Sequence, residues 1–347
     1  MKRILILMAF SFFSLFSCKG YKDLTVNEFE AMLEQDQTVQ LLDVRTPEEF
    51  AENHLPGALN IDWRGEGFSE KAQQMLDKSR PVLVYCRSGR RSAEAAKVLD
   101  GLGFKTYNMK GGILAWTEAG KRVTKYEVER FWTASCSPVD ITLIKHGTLA
   151  INYKDMTIHI DPVSGLGKPT DYATEFPKAD VILITHEHGD HLDPEAIAAV
   201  SQGESTLLIL NEKSRNQLGD GEAMHNGESH NLPLGIKLEA VPAYNTTPGR
   251  EMFHPKGNGN GYVLTIDGLC IYVAGDTEDV SEMAELKDID VAFLPVNQPY
   301  TMTPEQCIAA AKVIQPKVLI PYHFGQTDLS ALPAALPGMD VRLRQMQ

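Results

Sequence analysis

The sequence has no surplus of positive charge. Its 33 lysines and arginines face 46 aspartates and glutamates, a formal net charge of −13. Binding nucleic acid takes Lys/Arg surfaces that neutralise phosphates, so no nucleic-acid partner is expected. The acidic excess reads as a soluble surface. Cysteine is scarce: Cys18, Cys86, Cys136, Cys270 and Cys307, with no C-x-x-C spacing. That excludes a disulfide framework for a chain of 347 residues and leaves at most one bridge, from Cys136 to Cys307 or Cys270. Internal repeats and low-complexity tracts are absent. The glycine run Gly257-Asn258-Gly259-Asn260-Gly261 lacks the Lys-Ser/Thr of a phosphate loop and reads as a mobile loop. What remains is ordinary globular composition, 43% hydrophobic and 23% charged, long enough for two domains.

The first residues read as a targeting segment. Lys2 and Arg3 precede an apolar stretch from Ile4 to Phe16, too short to span a bilayer comfortably. The end, Leu15-Phe16-Ser17-Cys18, resembles the lipobox of bacterial lipoproteins. The expectation is a signal peptide over 1–18, export to the cell envelope and a lipid anchor in the membrane. An ordinary secretory signal is the alternative.

From 19 to 124 strands alternate with helices, which implies a parallel sheet with covered faces. The buried-type strand Pro81 to Tyr85 ends at Cys86, followed by the loop Arg87-Ser88-Gly89-Arg90-Arg91 and a helix. A cysteine in front of a helix N-terminus and beside three arginines is placed to be a thiolate, where an isolated cysteine is more often a small buried hydrophobe. Four motifs carry a resemblance here: Leu41-Leu42-Asp43-Val44-Arg45-Thr46-Pro47-Glu48-Glu49-Phe50, His54-Leu55-Pro56-Gly57-Ala58, Cys86 to Ser92, and Gly111-Gly112-Ile113-Leu114-Ala115-Trp116. Together they resemble a single-domain rhodanese. The resemblance implies a persulfide on Cys86, cradled by residues 87–91, and a sulfur donor and acceptor as partners. The related phosphatases place their arginine one position later, where this chain has Ser92. Asp43 and Arg45 read as a structural ion pair.

Residues 125–137 read as a linker, and consecutive strands begin near 138. The densest signal follows the apolar run Val181-Ile182-Leu183-Ile184: Thr185-His186-Glu187-His188-Gly189-Asp190-His191. Four metal-ligand side chains in six residues at a strand's end suit a divalent cation such as zinc. His186 and His188 point to one side in an extended segment, and Asp190 and His191 lie past the bend. Asp193 and Pro194 read as the N-cap and first turn of the next helix. Two further apolar strands end in ligand-type residues, Asp276 after Leu269–Ala274 and His323 after Lys317–Ile320. A lone Asp there is usually a turn residue; recurrence at three strand ends carries the inference.

These residues resemble the metallo-β-lactamase superfamily, on its lactonase-like and N-acylphosphatidylethanolamine-phospholipase-like branch, over about 138–330. The resemblance implies an α/β chain overall: a rhodanese-like parallel-sheet domain, then an αββα sandwich over 138–347. It implies two divalent ions (zinc foremost, manganese or iron as alternatives), one on His186 and His188, the other on Asp190, His191 and His323, with Asp276 bridging. Hydroxide between them would attack a small-molecule ester, lactone, amide or phosphodiester. Cys86 and Asp190 are the candidate catalytic residues, Asp161 a buried acid behind the ligands, and His146 a substrate or acid contact. The family's third histidine on the first ion is missing from its usual strand end, where Tyr244-Asn245 stands. His254 is the preferred substitute, with Tyr244 or no ligand as alternatives. Two other functions compete: a persulfide-dioxygenase type of enzyme with one iron, and a non-catalytic sulfur-binding sensor.

Overall fold

A computed structural model describes residues 20–344 and 346. The signal segment and Cys18 therefore lie outside the described residues. Among the described residues no helix is long and apolar enough to cross a membrane. The chain forms two compact units. One takes residues 20–32, 38–47 and 59–121; the other takes 33–37, 48–58 and 122 onward.

The first unit is built on five parallel strands, in the order Lys22–Leu24, Thr106–Met109, Val82–Tyr85, Gln40–Asp43, Leu59–Asn60. Val82 to Tyr85 are all buried, as a strand covered on both faces requires. The helix Val26–Gln35 starts with a reciprocal cap: the Glu28 amide donates to the Thr25 hydroxyl, and the Thr25 amide donates to the Glu28 carboxylate.

The second unit stacks two seven-stranded sheets. The first runs Glu222–Ala223, Leu207–Leu210, Val181–Ile184, Met156–Ile160, Thr148–Tyr153, Pro138–Lys145, Glu127–Trp132; the second runs Ser229–Asn231, Lys237–Ala243, Gly259–Ile266, Leu269–Val273, Val291–Pro295, Val318–Tyr322, Asp340–Val341. Strand alternation sorts the side chains into layers. Val181 and Leu183 face the other sheet, where they meet the layer of Ile271, Val273, Phe293 and Ile320. Ile182 and Ile184 face outward onto Ala196, Ile197 and Val200 of the helix Pro194–Val200. On the far side Ala292, Leu294 and Leu319 pack with Cys307, Ala310, Ala311 and Ile314 of the helix Pro304–Ile314. Each fully buried aliphatic side chain of this kind contributes roughly 1.5–3 kcal/mol. Helix, sheet, sheet, helix is the layering expected from the sequence.

The linker is a correction. Glu127–Trp132 is the edge strand of the first large sheet, antiparallel to Pro138–Lys145, and the second unit resumes at Arg122. Its charged residues disguise it. Glu129, 6% exposed, is ion-paired with Arg342 and Arg344 from the far end of the chain. Among the described residues no disulfide forms: Cys86, Cys136, Cys270 and Cys307 are free thiols.

Candidate metal centre and sulfur loop

Parallel pairing carries the ligand candidates to one rim. Leu183 pairs with Ile160, so the loop that opens at Thr185 emerges beside Asp161. In the other sheet Val273 pairs with Phe293 and Pro295 with Tyr322, which brings Asp276 and His323 out at the same end. The Gly275 amide donates to the Tyr322 hydroxyl at 2.9 Å, tying together the residues that precede those two ligands.

Three groups of donor atoms form there, each with atoms within 4.8 Å of one another: His146, Asp190, His191 and His323; His186, His188 and His254; His186, His191 and Asp276. Asp276 lies between the first two. Its Oδ2 is 3.9 Å from His186 Nε2, 3.2 Å from His254 Nε2 and 3.3 Å from His323 Nε2, while its Oδ1 is 3.3 Å from His191 Nε2. None of these contacts to His191, His254 or His323 has hydrogen-bond geometry, and the four atoms His191 Nε2, His254 Nε2, His323 Nε2 and Asp276 Oδ1 are buried without a hydrogen-bond partner. Buried polar atoms left unpaired are costly, and a divalent cation among them would satisfy all four, so the donor set fits metal.

A second layer fixes the rings. His191 Nδ1 donates to Asp161 Oδ2 at 2.7 Å, so that in the neutral ring Nε2 carries the lone pair toward the centre. Asp161 also accepts from the Thr185 amide (2.7 Å) and the Thr185 hydroxyl (2.6 Å), and that hydroxyl lies 3.0 Å from His186 Nδ1. His254 Nδ1 donates to the Tyr300 carbonyl at 3.1 Å. These tautomers follow from the hydrogen-bond partners. Gly147 leaves room for the ligand ring: a Cβ there would sit 2.7 Å from His191 Cε1. Three residues of this constellation hold left-handed backbone, His146 (φ 47°), Asp161 (φ 47°) and His323 (φ 46°).

The electrostatics agree. Burial drives the His186 imidazole well below its ordinary range, helped by positive charge on His191. Burial alone would raise the Asp276 carboxyl, but His323 and His191 hold it well below the usual carboxylate range. Burial disfavours charge on His191 too, yet Asp276 and Asp161 outweigh it and lift its pKa well above 6.5. Asp190, whose burial is likewise outweighed by the hydrogen bond from His146 and by the nearby His323 and His191 rings, is also lowered. The centre thus concentrates negative charge around imidazole nitrogens. Its open side is marked by Asp190 (side chain 35% exposed) and His146 (19%), which meet at 3.0 Å.

Of the predicted residues, His254 joins His186 and His188, and Tyr244 does not. The Tyr244 hydroxyl donates to Glu282 at 2.8 Å and accepts from Lys256 Nζ at 3.1 Å, away from the cluster. His159 is buried against Tyr172 and Phe176, outside the cluster. Two supporting residues escaped sequence reasoning, Glu278 and Lys145. Lys145 is 1% exposed and donates to the carbonyls of Ser164 (3.3 Å), Gly165 (2.8 Å) and Lys168 (2.5 Å). Both are charged residues whose partners lie on loops 19 to 32 residues away, and only their position beside His146 and Asp276 hinted at a role.

In the first unit Cys86 is buried at the end of Val82–Tyr85, in front of the helix Arg90–Gly101. Burial pushes the Cys86 thiol up, but the Ser92 hydroxyl and the backbone N–H groups of Ser92, Ser88 and Gly89 outweigh it and hold its pKa below that of a free thiol. Ser92 Oγ lies 3.4 Å from the sulfur. Arg87 and Arg90 are exposed and Arg91 half-buried. Asp43 and Arg45 form a buried ion pair with Nη2 to Oδ2 at 2.7 Å. The double glycine has a steric reason: Gly112 (φ 58°) lies where a Cβ would meet the Cys86 carbonyl oxygen at 2.3 Å. The Ile113 amide donates to that same carbonyl at 2.8 Å. Cys307, packed among apolar side chains, has its thiol pushed up to about 12.

Comparison with known proteins agrees with both units. A family model described as a beta-lactamase superfamily domain matches residues 140–323, and one described as a rhodanese-like domain matches 25–119. A UPF0173 metal-dependent hydrolase of Pelotomaculum thermopropionicum is 34% identical over 204 residues, 54% of this chain and 86% of that protein. A solved Parabacteroides distasonis protein described as a metal-dependent hydrolase is 54% identical with a TM-score of 0.61, covering 64% of this chain and all of that one. Igni18, described as a novel metallo hydrolase from Ignicoccus hospitalis, is 27% identical with a TM-score of 0.50, covering 60% and 95%. The chain belongs to the beta-lactamase superfamily and carries a rhodanese-like domain N-terminal to that match.

Proposed function

We propose that the chain is a metal-dependent hydrolase with a dinuclear site, joined to a sulfur-carrying domain. The observation that carries this reading is Asp276, whose carboxylate lies within 3.2–3.3 Å of partnerless imidazole nitrogens from both groups, His254 of one and His191 and His323 of the other. His186, His188 and His254 would hold one ion, Asp190, His191 and His323 the other, and Asp276 both. Divalent cations so held acidify water and polarise the bond to be cleaved. The protein's own contribution is orientation. Asp161, Thr185 and the Tyr300 carbonyl keep His191, His186 and His254 with Nε2 inward. His146 orients the Asp190 carboxylate at the open side, where a small ester, lactone, amide or phosphodiester would enter. The hydrolases among its relatives support the reaction class.

In the first unit the Cys86 thiolate would attack the outer sulfur of a donor such as thiosulfate. The donor's S–S bond breaks, sulfite leaves with the electron pair, and Cys86 keeps a persulfide stabilised by the loop N–H groups. The N-terminal segment supports export and a lipid anchor on Cys18; labelled palmitate entering the wild type but not Cys18→Ala tests that.

Elemental analysis of the purified chain, paired with hydrolysis of the four substrate classes, tests the main reading. Two zinc or manganese per chain, and hydrolysis abolished by Asp276→Ala, are expected. One iron with oxygen uptake on glutathione persulfide would replace it with the persulfide-dioxygenase reading. Thiosulfate:cyanide transfer lost in Cys86→Ala is expected; equal rates in the two would remove the sulfur-carrier role.

A further inference from the structure

His254 reaches the centre differently from its partners. His186, His188, Asp276 and His323 follow strands directly, whereas His254 lies eleven residues beyond Ala243, the last residue of its strand, on a loop with no regular structure. A ligand on such a loop needs something else to hold it. We propose that Glu278 is the positioning residue that holds the 244–254 loop, and with it His254, in the metal centre. The proposal rests on the dinuclear reading above.

Glu278 is fully buried and lies two residues after Asp276. Its Oε2 accepts from the amides of Thr246 (2.7 Å) and Thr247 (2.6 Å) and from the Thr246 hydroxyl (3.2 Å). Its Oε1 is 3.7 Å from Arg250 Nη1. Its own amide donates to the Tyr244 carbonyl at 2.9 Å, and the Tyr244 amide donates to the Thr277 hydroxyl at 3.1 Å. The short segment Asp276-Thr277-Glu278 therefore supplies one ligand and grips the start of the loop that supplies another.

The grip is relayed by Asn245. Its amide donates to the His254 carbonyl at 2.8 Å, and its Nδ2 donates to the carbonyls of Arg250 (3.2 Å) and Tyr300 (2.7 Å). The Tyr300 carbonyl is also the acceptor for His254 Nδ1. A carboxylate that gathers two backbone N–H groups makes strong, directional bonds, and its removal takes the acceptor from both. Loss of Glu278 would free residues 246 and 247, then Asn245, then the ring of His254. The ligands on strand ends would stay in place.

Zinc titration calorimetry on the metal-free full chain tests this, with Glu278→Ala, the milder Glu278→Gln, His254→Ala and the double variant His254→Ala/Glu278→Ala. The wild type is expected to show two sites. Either Glu278 variant should weaken one of them by about 10–100-fold, the usual effect of losing a residue behind a ligand, and leave the other within about twofold. The double variant should bind as His254→Ala does, because Glu278 acts through that ligand. Equal weakening of both sites, or additive losses in the double variant, would overturn the proposal. Hydrogen exchange of the Asn245, Thr246 and Thr247 amides in the metal-free chain decides it separately from the dinuclear reading. All three should be protected in the wild type and exchange faster in Glu278→Gln. Unchanged protection would overturn the positioning role even with two ions bound. A wild type that binds fewer than two zinc ions but shows the exchange effect would instead remove the dinuclear reading.

Discussion

Replacing Gly112 by alanine isolates how tightly the sulfur loop is packed. Two costs add at that position. The backbone is left-handed at φ 58°, which costs an L-residue on the order of 1–2 kcal/mol. The new methyl would also lie 2.3 Å from the Cys86 carbonyl oxygen and 2.6 Å from the Arg87 carbonyl carbon and oxygen, all rigid backbone. Relief would require the helix Gly112–Glu118 to move off the loop, breaking the Ile113 amide bond to the Cys86 carbonyl. A total of roughly 3 kcal/mol or more is expected, at the upper end of single substitutions. Gly120→Ala is the control, because its φ of 70° is similar but nothing lies within 4 Å of the added Cβ. It should cost only the backbone share, about 1–2 kcal/mol. Amide exchange in the strand Val82–Tyr85 reports the stability of the unit, and the iodoacetamide rate at Cys86 reports the loop. Gly112→Ala should lose both protection and thiol reactivity, and Gly120→Ala should keep the reactivity. Equal effects of the two substitutions would refute the steric argument.

The Cys86 thiol should stay reactive below a free thiol's pKa of about 8.5, because hydrogen bonds from Ser92 and the loop lower its own. Ser92→Ala should move the midpoint of the alkylation–pH profile upward, so that the variant is slower than wild type just below that value; identical profiles would exclude the Ser92 contribution. Lys145→Met should destabilise the second unit by about 3 kcal/mol in urea unfolding, since the carbonyls of Ser164, Gly165 and Lys168 lose their shared donor. Unchanged stability together with unchanged proteolysis at 164–168 would count against that role. Asp161→Asn should weaken zinc binding about 10–100-fold by releasing the Nδ1 proton of His191 to either nitrogen, and calorimetry that shows wild-type affinity would contradict the tautomer assignment.

What could be read from the sequence was what is local. Val181 to Ile184 announce a buried strand by their own character, and the histidines after them fall within six residues, so strand, loop and donor set are written side by side. Asp276 and His323 were legible because each repeats that pattern. The Glu127–Trp132 strand was not, because the partners that neutralise its buried Glu129 come from Arg342 and Arg344, more than 200 residues away. Tyr244 stood where a ligand was missing, but its hydroxyl is claimed by Glu282 and Lys256, which no local pattern connects to it. Glu278 and Lys145 belong to no local motif, and their burial depends on loops folding over them.

The left-handed backbones of His146, Asp161 and His323 carry a cost of their own. Each forgoes on the order of 1 kcal/mol or more that glycine would return at the same place. Glycine at position 161 would recover that share but leave the Thr185 amide, the Thr185 hydroxyl and His191 Nδ1 without their acceptor, a larger loss. Left-handed turns filled by imidazole and carboxylate where glycine would sit more easily are therefore the positions to check when a related sequence is asked whether it keeps the same donor set.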